Sequence, residues 1–522
     1  MKLNKYFLIG AMGLSLFACS DELNENGNQD GNQPQEGTTY VALTLDFGNE
    51  ARSRAGELPS APIDDGTPEG NESTVKELRL IVIGAGDKIE YNTLYTGNVD
   101  DAENGTKALP SVSNGTATTT ISLPGGGSKK FYAVVNEDAA PDGNFTINGY
   151  LQTAVTKNAS SFGVYNTDSN GGTPFVMSNE KEVTLNVEEN IPVEEASTVN
   201  QVTIEVERVL AKVTVQQKEG GMDQTGSNLT LTSLTGQIGN ASLITDASGT
   251  EIKTAGTYRM FKNESGKRIT PYYLTTFIEN DTKFDLTKWM EGESGVTTST
   301  NLNITTNVAR FYCLENTHDE SQYTQGNTTF VRLEAKMYPT KTAEFTVTTT
   351  DGNKTVAPTS QETPNLTAPE TFYVITRVTG EGNSTFEKSY VTEAHLASLY
   401  GEGDDKLVGT GATTDDDSKA KAEAVRAELA TKGYQLSDPY TNGTGYYIIW
   451  VNDFADPAAG SYPSTAPVFR NDWYELRINS IKLPGDPKGE IEPEKPIHPA
   501  TNASVTVRVK NWNNVKHDVN LQ

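Results

Sequence analysis

The chain has 522 residues, of which 69 are acidic and 42 basic, for a formal net charge of −27. Such a balance repels phosphate backbones and anionic lipid surfaces, which excludes nucleic acid as a partner. The length leaves room for two or more domains, each with its own core. The two cysteines, Cys19 and Cys313, leave stability to packing and strand pairing rather than to disulfides.

The first segment, residues 1–19, has basic Lys2 and Lys5, then an apolar run from Phe7 to Phe17, then Ala18-Cys19. A positive start and an apolar run too short to cross a bilayer mark a secretory signal. Ala18-Cys19 resembles a bacterial lipobox, which implies that Cys19 is lipidated (palmitate) and becomes the new N-terminus. Residues 20–39 are polar, rich in Asn, Gln and Gly, and read as a tether. Its start, Ser20-Asp21-Glu22, resembles a surface-export signal of lipoproteins. Val41, Leu43, Leu45 and Phe47 then alternate with smaller or polar residues, so the first strand buries one apolar face. Ala51-Arg52-Ser53-Arg54-Ala55-Gly56 follows at once, a small flexible stretch with two arginines. It is an exposed site for a trypsin-like protease, and a cut there releases the first strand.

Strand periodicity continues through Val75–Ile83, Lys130–Val135, Val202–Val206 and Lys212–Val215. Thr and Val abundance with frequent Gly, Asn and Asp predicts β-sandwich domains, residues 55–200 and 201–484. Pro124-Gly125-Gly126-Gly127-Ser128-Lys129-Lys130 reads as a hairpin turn, since it lacks the Gly-Lys-Ser/Thr end of a phosphate loop. Asn166–Gly171 opens like a calcium loop, but Met177 stands where a bidentate Glu is needed. Cys313, within Phe311–Leu314, reads as a buried inert thiol. Asp417–Lys432 is Ala-rich with Gly433 behind it and predicts one short surface helix, preceded by solvated charge at Asp415 and Asp416. Residues 485–503 form a Pro-rich linker expected to stay out of any sheet interior. Beyond it, in residues 504–522, Val505, Val507 and Val509 alternate cleanly, and Val515, Val519 and Leu521 do so again with His517 between them. This tail has the alternation needed to fill the place of a removed first strand, or to fold back as an edge of its own domain.

Several segments in one order resemble the Bacteroidetes fimbrillins, stalk subunits of type V pili, of the short-fimbria type. They are Met1–Lys5, Arg54-Ala55-Gly56, Phe131–Asn136, Phe175–Ser178, Val206–Val213 and Leu314–His318, then Phe330–Lys336, Phe469–Tyr474, Ile478–Ile481 and Trp512 before Val515–Leu521. The resemblance implies an all-β fold of two antiparallel β-sandwich domains of transthyretin-like, Greek-key type. It implies a precursor held on the outer membrane by lipid on Cys19, with residues 20–54 as propeptide. Cleavage between Arg54 and Ala55 by an Arg-specific protease then allows polymerisation by donor-strand exchange. The implied partners are copies of the chain in a head-to-tail polymer, with accessory anchor and tip subunits, and the implied location is the fimbrium. Glu207-Arg208 and Arg470-Asn471 read as structural hallmarks near the domain junction rather than catalytic groups.

Catalytic readings find little support. His318, His395, His498 and His517 have no metal-ligand spacing, so no metal, cofactor or enzymatic activity is expected. Two alternatives stay open. A surface glycan-binding lipoprotein requires an exposed aromatic platform, for which Tyr446, Tyr447 and Trp450 are the candidates, and a tip or anchor pilus subunit shares the fold.

Overall fold

The computed structural model describes residues 37–47, 64–65, 74–136, 175–239, 302–303, 308–314, 325, 328–361, 366–413, 417–452, 466, 468–492, 495–497 and 503–511, apart from short breaks at 98, 102–104, 114, 180–181, 209 and 381–383. The chain is all-β. Among the described residues no helix is long and apolar enough to cross a membrane.

The N-terminal half contains β1 (Thr38–Asp46), β2 (Asp64–Asp65), β3 (Glu77–Ile83), β4 (Ile89–Thr96), β5 (Thr106–Lys107), β6 (Thr116–Pro124), β7 (Gly127–Val135), β8 (Met177–Asn179), β9 (Val183–Val187), helix α1 (Ala196–Val199) and β10 (Gln201–Arg208). The strands follow the order β5-β4-β3-β7-β8-β10-β1-β6, with β9 beside β7. Alternation puts one face of each strand inward. The resulting core joins Val41, Leu43, Leu45 and Phe47 to Leu78, Leu80, Phe131, Ala133, Val202 and Ile204. The two-residue link Gly125-Gly126 is not the hairpin expected. β6 pairs with β1, while β7 pairs with β3, β8 and β9, so the link carries the chain from one end of the sheet to its middle. Gly125 takes a φ of 88°, open to glycine with little strain.

The C-terminal half starts with β11 (Leu210–Gln217), β12 (Leu229–Gly239), β13 (Leu302–Asn303), β14 (Ala309–Leu314) and β15 (Phe330–Pro339). Between β15 and the later strands sits a module with its own core: β16 (Thr342–Thr350), β17 (Asn353–Gln361), β18 (Phe372–Val378), β19 (Tyr390–Thr392), α2 (Glu393–Ser398), α3 (Ser418–Thr431) and β20 (Tyr434–Leu436). Helix α3 is the one expected. Asp417 caps it by accepting the Ala420 N–H at 2.6 Å, and Ala422, Val425 and Leu429 are its buried face. The third core is an addition to the two-domain expectation, because the hydrophobic period of a short insert does not reveal which strands it packs against.

The chain closes with β21 (Thr444–Trp450), β22 (Asp472–Ile481) and β23 (Ala503–Asn511). One sheet runs β14-β11-β22-β23-β2 and another β13-β12-β15-β21, enclosing Val213, Val215, Phe311, Cys313, Leu333, Tyr474 and Leu476. The described part of the Pro-rich segment is packed rather than a loose tether. Asp486 and Tyr446 exchange backbone hydrogen bonds at 2.7 and 2.8 Å, and Gln325 holds the backbone at Glu492, Lys495 and Pro496. Ile491 and Ile497 are buried beside Phe330 and Trp450. A side chain at Gly485 would meet the Tyr446 carbonyl, which is why the close approach falls on a glycine.

Candidate assembly site

β1 is an interior strand. It pairs in parallel with β10, Leu43 beside Val202 and Leu45 beside Ile204, and antiparallel with β6 along all nine of its residues. Val41, Leu43, Leu45 and Phe47 are 0–3% exposed. Its first residues run past the start of β10 and are held differently. Tyr40 N–H donates to Ile191 O at 3.0 Å, and the buried Thr39 and Asn200 side chains meet at 3.2 Å. Nothing in the alternation pointed to Asn200; the only signal was a polar residue immediately before an apolar strand.

The two halves are stitched by a buried polar cluster where β10 runs into β11. Glu207 faces the wholly buried Arg470 at 3.9 Å, and Arg208 Nη1 donates to Asn471 Oδ1 at 3.2 Å. Asn471, at a φ of 61°, sends its N–H to Leu210 O at 2.7 Å. Asn tolerates that left-handed backbone better than most residues. Lys212 stacks over Trp473 at 4.0 Å, and Phe175 of the first half packs on Tyr312 of the second at 4.8 Å. Charges held this way are expensive to leave unmatched, so loss of one partner destabilises the junction. None of these groups has the geometry of a catalytic set. Among the described residues no group of His, Cys, Asp and Glu is arranged to hold a metal ion.

Val505, Val507 and Val509 lie in β23, opposite Ile478, Leu476 and Tyr474 of β22 in the same chain. The far end of β23 also pairs in parallel with β2, Asp64 beside Lys510. The first half of the tail therefore has a place in its own sheet. Cys19, Arg54, Ala55, Val515, Val519 and Leu521 lie outside the described residues, as do Asn166–Gly171, Asp415, Asp416, His318, His498 and His517. Cys313 is 1% exposed, and burial pushes its thiol up to about 12.

Tyr446, Tyr447 and Trp450 do not form the exposed aromatic platform that the glycan-binding alternative requires. Tyr447 and Trp450 are 2% and 1% exposed. The Tyr447 hydroxyl donates to Leu483 O at 2.6 Å, and Trp450 packs edge-on against Phe330. Tyr446 alone is partly open, and Arg332 covers its ring at 4.9 Å. β21 ends its sheet, yet both of its faces are covered: Tyr447 lies in the core with Ile449, and Trp450, of the other parity, packs with Phe330, Ile491 and Ile497, so three nearby aromatics do not make a surface.

A family model described as "Major fimbrial subunit protein type IV, Fimbrillin, C-terminal" matches residues 438–518. No curated protein matches the chain. Among solved structures, a fimbrilin from Porphyromonas gingivalis W83 is similar at 13% identity and a TM-score of 0.40, covering 92% of this chain and 98% of that one. The tip fimbrial protein Mfa3 of Porphyromonas gingivalis, with C-terminal truncation, is similar at 12% identity and a TM-score of 0.30, covering 91% and 100%. At these values neither structure carries an argument about this chain, whose all-β fold rests on its own strands. The family match spans β21, β22 and β23, and over these residues the chain is similar to the C-terminal part of the fimbrillins.

Proposed function

We propose that this chain is the structural subunit of a cell-surface fimbria and supports adhesion and biofilm formation. It is exported as a lipoprotein through Cys19, activated by an Arg-specific protease cutting between Arg54 and Ala55, and polymerised by donor-strand exchange between copies, with anchor and tip subunits at the ends. One observation carries the reading. β1 is wholly interior, between β6 and β10, and is followed within a few residues by Arg52 and Arg54, so a single cut leaves it held by noncovalent contacts alone. Removing it leaves a groove with unpaired backbone on both walls, which an incoming strand of the same alternation satisfies. Because Val505, Val507 and Val509 belong to a strand paired with β22, the donor role falls to Val515, Val519 and Leu521.

The test is assembly in vitro. Purified full-length chain treated with trypsin is expected to give a ladder on an unboiled SDS gel, with ladder subunits starting at Ala55, whereas untreated chain stays monomeric. Cleavage at Arg54 without any ladder, or ladders whose subunits begin at Cys19, defeats the reading.

A further inference from the structure

The groove occupied by β1 has a polar end as well as an apolar floor. The Thr39 hydroxyl, 0% exposed, donates to Glu188 O at 2.6 Å and accepts from Ile191 N–H at 3.1 Å and Asn200 Nδ2 at 3.2 Å. Asn200, also 0% exposed, is fixed by the Glu188 N–H donated to its Oδ1 at 2.8 Å. Its Nδ2 also reaches Glu188 O at 3.0 Å and Tyr40 O at 3.1 Å. These groups form a socket that needs one side chain able both to donate and to accept.

We infer that this socket, built from Asn200 and the backbone of Glu188 and Ile191, sets the register of whichever strand fills the groove. Its partner in the fimbria is Asn513 of a second copy of this chain. The inference rests on the donor-strand reading above and adds to it a residue-level specificity site. Alternation by itself leaves register open. A slip of one residue turns the whole apolar set outward, but a slip of two keeps it inward and forfeits contacts only at the ends. The socket rejects a slip of two that brings an apolar side chain there, because the Ile191 N–H, the Glu188 carbonyl and the Asn200 amide are then buried without that partner.

Of the tail residues of this parity, Asn511 and Asn513 carry a side chain that fits the socket, but Asn511 there would put Asn513 at the buried place of Val41, so the tail suits the site at Asn513. Thr39, Val41, Leu43, Leu45 and Phe47 have the spacing of Asn513, Val515, His517, Val519 and Leu521. A carboxamide donates and accepts as a hydroxyl does. In the other half of the tail, the residue two before Val505 is Ala503, which carries no polar side chain. The socket thus selects residues 513–521 over 503–511.

Two measurements on the full-length chain test this separately from the donor reading. In the first, trypsin-cleaved Thr39→Val and Thr39→Ser chains are compared with the parent for loss of the first strand, followed by mass spectrometry, with melting of the uncut proteins as a check on folding. Thr39→Val is expected to lose its strand about 10- to 100-fold faster and Thr39→Ser to behave as the parent. Equal rates for Thr39→Val and the parent overturn the socket, whatever the donor is. In the second, Asn513→Val and Asn513→Thr are compared for laddering after cleavage. Asn513→Val is expected to slow assembly by about the same factor and Asn513→Thr to preserve it. If Asn513→Val assembles as the parent does, Asn513 is not the socket's partner. If a chain ending at Asn511 still ladders while Thr39→Val still sheds its strand faster, the donor assignment fails and the socket's hold on β1 stands.

Discussion

Leu43→Ala tests whether β1 is held chiefly by its apolar face. Leu43 is 1% exposed at the middle of the strand, beside Val202 of β10 and Thr119 of β6. The four inward side chains of β1 contribute roughly 6–12 kcal/mol gross, at about 1.5–3 kcal/mol each. Truncating a buried Leu also leaves a cavity that rigid neighbouring strands close only in part, so the expected loss is about 2–5 kcal/mol. Before cleavage that loss appears as lower stability of the precursor. After cleavage it appears as weaker retention of the strand, about 30- to 4,000-fold, mostly in the dissociation rate. The assay uses trypsin-cleaved chain ending at Asn511, so that no donor competes, and follows exchange of the bound strand with a labelled peptide of residues 38–47. Thr44→Ala, on the opposite face of the same strand, is the control and is expected to change exchange little. A Leu43→Ala chain that keeps its strand as long as the parent refutes the argument that apolar burial sets the lifetime of the bound strand after cleavage.

The two halves of the tail are expected to behave differently. A chain ending at Asn511 should keep the parent's melting temperature yet fail to polymerise, while one ending at Ala503 should also melt earlier, because β22 loses the antiparallel partner it has along most of its length. Equal melting of the two truncations contradicts the pairing of β23 with β22. Cys313, buried and with its thiol pushed up to about 12, should resist alkylation in native protein and label fully in urea; rapid native labelling counts against its place in the core. His395 of α2 accepts the Phe345 N–H on Nε2 at 2.7 Å, which requires the neutral ring. Burial holds its pKa below the ordinary 6.5, with Glu344 pulling the other way. The unfolded chain therefore takes up the proton first, so this contribution is complete above pH 6.5 and is lost as pH falls from there through the folded-state value. Urea midpoints should drop between about pH 7.5 and about pH 5 more steeply in the parent than in His395→Gln. An equal slope in the two chains removes His395 as the cause.

Much of this architecture was legible because strands in water advertise their buried face every second residue. Val41, Leu43, Leu45 and Phe47 announce a half-buried strand, and the structure buries those four side chains. The helix at Ser418–Thr431 was legible for a similar reason, with Asp417 ahead of an Ala-rich run and Gly433 behind it. Pairing partners were a different matter. The two-residue link between β6 and β7 looks like a hairpin, yet those strands pair elsewhere, since local turn chemistry says only that the chain reverses. Residues 485–503 read as a linker because prolines and charges recur there, whereas Ile491 and Ile497 are buried beside Trp450 in a setting that only the folded chain creates. The same gap between period and partner runs through the assembly site. Alternation tells which residues of a strand face inward and is blind to a shift of two. A fimbria built from strands of common alternation therefore needs something non-periodic to fix register, and a buried group with fixed hydrogen-bonding geometry is suited to that because its cost changes abruptly with position. Asn200 and Thr39, which no apolar pattern would single out, have that character.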